Sequence, residues 1–332
     1  MTIARVRPAI FFSLLALLVA GALIVPHVAN RGVVFLSGVV AINVVFGIAF
    51  NLAFAKAGIL SFGNAMFFAV GAYCAGYLIT QQNHLPFVVI LLAAAGCGGL
   101  LALVTGLLAL RRASGVYFAV ITLAVGALVH VLIMKLNFLG RNDGLVGVNR
   151  PIIDLGLVEL DLARGDAYYY FIIASCALLV TLMWVLWSNR FGRSLQGVKS
   201  DPMRASFLGI DIDRKRLIAL VLSGSITALA GAIYAPWAQI VTPELAHWSF
   251  STMPLLFTLL GGSAFFLGPA VGAILFGLLD YATRSLIGIS DLLVGGLLLA
   301  VVLSVPGGVL GLLGSLLARV RAPSSPRREG RA

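Results

Sequence analysis

The stretch from Gly192 through Gly197 to Lys199 and Ser200 offers the residue types of a phosphate cradle: two glycines, then a lysine and a serine. In a nucleotide-binding loop the lysine follows the second glycine directly, so that its ammonium reaches the phosphates, and the loop joins a strand to a helix. Here Val198 intervenes, and the segment connects two apolar runs. ATP hydrolysis is therefore not expected of this chain. A His-Glu-x-x-His pattern, clustered metal ligands and a nucleophile–base pair are all missing, so enzyme chemistry is not expected either. Cys74, Cys97 and Cys176 lie in apolar runs without paired spacing and read as packing residues. Asp280 and Asp291 sit near the ends of apolar runs, with Arg284 four residues from the first, as a surface pair. An ion-coupled transporter would need a carboxylate deep in a span. The polar residues inside apolar runs are small and neutral. Ser61, Asn64 and Ser263 flank glycine-rich breaks, where they either line a hydrophilic path or hydrogen-bond between helices.

The elements that carry these residues are set by composition. Of 332 residues, 61% are apolar and 11% charged, against about 25% charged in an average soluble domain. The charges are clustered, which leaves uncharged runs at 9–25, 32–55, 57–80, 85–110, 113–134, 167–188, 217–241, 248–279 and 292–317. A helix needs about 20 apolar residues to cross a bilayer core. Backbone polar groups in lipid must be satisfied internally, so these runs are expected as helices. The 37 glycines fit close helix contacts and broken helices in lipid. Arg5 and Arg7 precede an apolar run that reads as an uncleaved first span.

The net charge of +11 divides unevenly between alternate connections. With the N-terminus inside, the inner segments 1–8, 56, 111–112, 189–216 and 318–332 total +13, and the outer segments 26–31, 135–166, 242–247 and 280–291 total −2. Basic residues favour the cytoplasmic side, so the basic excess encodes orientation and no nucleic-acid partner is expected. The basic segments 189–216 and 318–332 must share a side, which requires an even number of crossings between them. Splitting the run 248–279 near Gly261 and Gly262 meets that condition. The expected fold is an all-α integral membrane protein of about ten segments, some short or broken at Gly/Pro, with both termini cytoplasmic. Its transmembrane domain is 1–318, with an inner loop at 189–216 and an outer loop at 135–166, followed by a basic tail at 319–332 that is expected to be disordered.

Two stretches echo each other. One holds Gly58, Ser61, Gly63, Asn64 and Gly71; the other holds Gly261, Gly262, Ser263, Gly268, Pro269 and Gly272. Pro269 lacks a backbone donor and its neighbouring glycines are weak helix formers. Such backbone is tolerated at membrane depth only where protein or a water-filled cavity covers it.

In the loop 189–216, Asp201 suits an N-cap, Pro202 a first helical position and Gly209 the residue past a helix end. A helix this short is marginal alone, so Met203 and Phe207, four apart on one face, should pack on something. That is either a separate motor protein or the chain's own inner surface. Lys56, between two spans, is expected to snorkel to the inner headgroups. His130, near a span end, is expected at the interface, and residues 155–162 alternate as in a small hairpin. Tyr168, Tyr169 and Tyr170 are expected in the outer aromatic belt.

Several motifs, in order, resemble the M-type permease subunits of branched-chain amino acid ABC importers over about residues 35–313. They are Asn51 with Gly58, Ser61, Gly63, Phe67 and Gly71; Leu110, Arg111, Gly115, Tyr117, Phe118 and Thr122; Phe191, Gly192 and Arg193 followed by Arg204, Ala205 and Gly209; and Gly261, Gly262, Gly268, Pro269 and Gly272. Asn142, Asp143 and Gly144 resemble the family's outer-loop turn. Asn64 stands where that family usually has His, Pro202 lies near the place of a missing acidic residue, and Ala55, Lys56 and Ala57 replace a glycine-containing triplet. The resemblance implies an inner-membrane permease that works by alternating access. Its partners would be two ABC ATPases that hold the ATP and Mg, a second homologous permease and a periplasmic binding protein. No cofactor is implied for this chain. Arg193, Met203, Arg204, Ala205, Phe207 and Gly209 would couple to the ATPases. Asn43, Asn51, Ser61, Asn64, Tyr117, Thr122 and Ser263 would form the translocation pathway or its supporting shell. The substrate expected is a branched-chain amino acid or a related small polar solute. A simple-sugar ABC permease is the alternative, which the signature of Tyr117, Phe118 and Ala119 disfavours; an ion-coupled secondary transporter is a more distant one.

Overall fold

The computed structural model describes residues 8–81, 85–110, 115–154, 159–162 and 166–283, with short stretches at 295–296, 299 and 307–312. The last apolar run, Arg111, Arg284, Asp291 and the basic tail therefore lie wholly or largely outside the described residues. Within them the chain is mostly helical: α1 (Pro8–Val28), α2 (Arg31–Asn51), α3 (Asn64–Gln81), α4 (Phe87–Ala109), α5 (Val116–Lys135), α6 (Ala167–Ser188), α7 (Arg190–Ser200), α8 (Pro202–Phe207), α9 (Ile212–Ala238), α10 (Trp248–Gly261) and α11 (Gly268–Thr283). Among the described residues, six helices are long and apolar enough to cross a membrane. Shorter apolar helices accompany them, and the break expected at Gly261 and Gly262 falls between α10 and α11, where Gly262 has φ +106°.

α9 is the hub. It packs against α3 and α4 on one side and α2 on another. The approach to α3 is close enough that a Cβ on Gly71 would overlap the Ala228 carbonyl, and one on Gly231 the Phe68 carbonyl. In lipid there is no hydrophobic drive between helices, so small residues that let backbones touch supply much of the packing. Aromatic stacks add to it: Phe11 lies parallel to Trp184 at 4.7 Å, and Phe35 to Trp237 at 5.6 Å.

The connections gather at two ends of the bundle. At one end Lys56 Nζ donates to Gln196 Oε1 at 3.1 Å and Lys199 Nζ to the Ala55 carbonyl at 3.0 Å, while Leu110, Gly115 and Arg216 border a small recess with Gly58. At the other end strand β1 (Leu145–Val146) pairs antiparallel with β4 (Ile240–Val241), and β2 (Ile152–Asp154) forms a hairpin with β3 (Glu159–Asp161), close to the hairpin expected in that loop.

Three placements differ from expectation. Lys56 is 4% exposed and sits 4.4 Å over the Trp187 ring, so it is held by protein and does not snorkel. Tyr168 and Tyr169 are fully buried, donating to the carbonyls of Ile233 (2.8 Å) and Ala22 (2.9 Å) and not standing in a belt. The phosphate-loop lookalike is the interior of α7, with Gly192 pressed against the Trp187 carbonyl.

Candidate translocation and coupling sites

The two glycine-rich breaks are built alike. Each is a non-helical stretch that leads into a helix, residues 57–63 into α3 and 262–267 into α11. α2 ends beside them in a π turn, Leu52–Lys56. Asn51, 1% exposed at the end of α2, donates from Nδ2 to the carbonyls of Ser263 (3.4 Å) and Phe265 (3.3 Å). A turn without helical partners thus has its oxygens satisfied by a side chain, which buried polar backbone requires. Asn51 and Ser263 are brought together, although Ser263 takes part through its main chain.

A second group forms at the start of α3. Thr122 Oγ1 accepts from the Phe62 N–H at 3.1 Å and donates to the Ala119 carbonyl at 2.9 Å; Ser61 Oγ accepts from the Gly63 N–H at 3.3 Å. Gly63 tolerates no side chain, because a Cβ would overlap the Thr122 carbonyl. Asn64, the first residue of α3, is 1% exposed, and neither its Oδ1 nor its Nδ2 has a partner. Of the other expected pathway residues, Asn43 is half-buried in α2, and Tyr117 is 77% exposed on α5, apart from this group.

Sequence reasoning missed Ser251, whose Oγ accepts from the Ala65 N–H at 2.9 Å. It also missed the course of residues 242–247, which were expected as a short outer connection. Val241 lies against Gly76, and Phe250 stacks beside Phe68 at 5.2 Å and Phe46 at 5.6 Å. The chain therefore descends along α3 through a 3-10 turn at Pro243–Ala246, whose Pro243 carbonyl meets His130 Nδ1 at 3.0 Å, and enters α10 only at Trp248. That contact places His130 against this segment. Its single charge, Glu244, marks it in the sequence only as a connection and not as a segment packed along α3.

The loop helices are organised as their end signals require. Asp201 caps α8, its carboxylate accepting from the Arg204 N–H at 3.0 Å and pairing with Arg204 Nε at 2.7 Å; Pro202 opens the helix, and Gly209 takes φ +75°. Ala205 is buried against the rest of the chain. Met203 (73% exposed) and Phe207 (84%) project from α8, and Leu208 (78%) from its end, so the surface of the described residues does not receive them. Arg193 is exposed on α7. Burial lowers the Lys199 ammonium below its usual range.

A family model described as "Branched-chain amino acid transport system / permease component" matches residues 32–302. The chain belongs to this family. The permease protein LivM of the high-affinity branched-chain amino acid transport system of Escherichia coli is 26% identical over 311 residues, covering 86% of this chain and 71% of the relative. The LivM permease of Salmonella typhimurium is also 26% identical, over 90% of this chain and 74% of the relative. A probable LivH permease of Methanocaldococcus jannaschii is 26% identical over 44% of this chain and 49% of its own. No solved structure matches. The relatives carry names of transport permeases and not of enzymes, and this member of the permease family is a multi-pass membrane protein.

Proposed function

We propose that this chain is a membrane-spanning subunit of an ATP-driven ABC importer of the bacterial inner membrane, which carries branched-chain amino acids or related small polar solutes. Family membership and similarity to LivM over most of both chains support the transport class and the solute. A second homologous permease would complete the pathway, two ATPases would bind ATP and Mg, and a periplasmic protein would deliver the solute. This chain itself needs no cofactor. Ten segments with both termini in the cytoplasm remain the arrangement that the charge distribution favours. The meeting of Lys56 with Gln196, and the small recess lined by both Leu110 and Arg216, fit segments that share the inner side.

The observation that carries the coupling reading is α8. A capped six-residue helix presents Phe207 and Met203 to solvent at the basic end of the bundle. Exposed apolar side chains on a preformed helix are the usual handle for a groove in another protein. Arg193, Arg204, Ala205 and Gly209 would hold or flank that handle. Seated in a groove of the motor, α8 would be drawn with it when ATP closes the ATPases, and access would pass from one face to the other. Asn51, Ser61, Asn64, Thr122 and Ser263 would form or brace the pathway, with Asn43 and Tyr117 farther from the breaks. Reconstitution of the chain with its ATPases, partner permease and binding protein tests the reading. Leucine uptake that requires ATP and all partners is expected, and leucine movement by the chain alone in liposomes would refute it.

A further inference from the structure

α10 begins deep in the bundle. Its first turn carries Phe250 beside Phe46, which lies 15 residues into α2, about 22 Å along the helix at 1.5 Å per residue. From that depth α10 runs toward the end where Asn51 holds the following turn. α3 starts beside the same point, since Ser251 of α10 accepts from the Ala65 N–H at 2.9 Å. It runs the opposite way, toward the β1–β4 end, where Gly76 meets Val241. The first turns of α10 (14 residues) and α3 (18 residues) thus lie side by side inside the bundle, the helices running in opposite directions from there. Each N-terminus carries the positive end of a helix dipole, about half an elementary charge. Two such ends converging in a low-dielectric interior attract an anion and repel a cation.

The second observation is Asn64. It stands in the first turn of α3 at this junction, is 1% exposed, and has no partner for either polar atom. A buried primary amide left unpaired costs about 1–3 kcal/mol or more, so the position is expensive unless something binds there. The local donors are otherwise engaged: Ala65 N–H by Ser251, Met66 N–H by the Gly63 carbonyl, and Ser249 N–H by His247 Nδ1 at 3.4 Å. The free groups are the Asn64 amide and the summed field of the two helices. Discontinuous helices with facing half-helix ends are where transporters place carboxylate groups.

We infer that the junction of the α3 and α10 N-termini, with Asn64 as the hydrogen-bonding side chain, is an intramembrane site for the carboxylate of an α-amino acid. This rests on the importer reading above and gives it a chemistry. The carboxylate is held by Asn64 Nδ2 and the two dipoles, and the exposed Ser249 marks the approach.

The test uses the assembled importer. Asn64→Asp puts a carboxyl where the solute carboxylate would sit, at a helix N-terminus that favours negative charge, and co-purification with the ATPases shows that the variant has folded and assembled. Leucine uptake should fall at least about tenfold, the factor that 1.4 kcal/mol supplies, with ATPase association unchanged. Asn64→Leu, which removes the amide without adding charge, should lose less. Independently, Ser249→Cys in the assembled importer should be alkylated by a polar maleimide, with the wild-type chain as background. L-leucine should slow that reaction, and L-leucinamide, which lacks the carboxylate, should not. Uptake by Asn64→Asp at the wild-type rate, or equal protection or no protection by the two solutes, would overturn the inference. Failure of the wild-type importer to take up leucine with ATP would instead fault the functional reading.

Discussion

The Lys56 ammonium donates to Gln196 Oε1 at 3.1 Å, tying the end of a transmembrane helix to the loop helix α7. Trp187 closes the other side of the charge at 4.4 Å. Through this pair and the Lys199 bond to Ala55, the loop that carries α8 is fastened to α2, and α2 in turn holds the turn at Ser263 through Asn51. A pull on α8 therefore has a mechanical route to both glycine-rich breaks.

That link should be measurable. Gln196→Leu removes the only hydrogen-bond acceptor shown for Lys56 among the described residues. A hydrogen bond to a charged group contributes about 1.5–3 kcal/mol, so the melting temperature in detergent should fall by several degrees. Gln196→Glu, which keeps an acceptor and adds a countercharge, should melt no lower than wild type.

Phe207→Asp should abolish co-purification with the ATPases. Because Phe207 is 84% exposed, the change should alter the stability of the isolated chain by no more than about 0.5 kcal/mol. A variant that inserts, melts normally and still pulls down the ATPases would remove α8 from the coupling role.

Gly71→Ala should be costly and Gly96→Ala nearly neutral. The first places a methyl into the Ala228 carbonyl, whereas nothing lies within 4 Å of the second. Overpacking of this kind costs about 1–3 kcal/mol, and separation of α3 from α9 should show as a lower thermal midpoint for Gly71→Ala alone.

Thr122→Val preserves shape but leaves the Phe62 N–H without its 3.1 Å acceptor. Loss of about 1–3 kcal/mol is expected, with transport impaired because the segment before α3 loosens. Thr122→Ser keeps the hydroxyl and should restore both stability and uptake.

The helices were legible because lipid imposes a coarse rule that composition obeys. The uncharged run 167–188 has the same bounds as α6, and the parity of basic loops located the break at Gly261 and Gly262. The cap of α8 was legible from Asp201, Pro202 and Gly209, since each residue type does a local job. What composition could not show was direction. Apolar side chains face both lipid and core, so nothing in the sequence separates the buried Tyr168 and Tyr169 from a membrane belt. Lys56 was misplaced because its partners, Trp187 and Gln196, are far away in sequence. The descent of residues 242–247 was hidden because a short irregular segment packed on protein has no periodicity to detect. For the same reason Asn51 and Asn64 could be named as polar residues at breaks, but not as one amide whose Nδ2 bridges two carbonyls and one with neither polar atom paired.

The apolar side chains that α8 offers to water bear on the life of the subunit before assembly. Phe207 and Leu208 cost little when covered, but on an orphan copy they form a greasy tag that chaperones and membrane proteases can read. Under the proposed coupling, newly inserted copies in excess of their motor would be cleared, and the scarcest protein of the set would fix the number of finished importers in the cell.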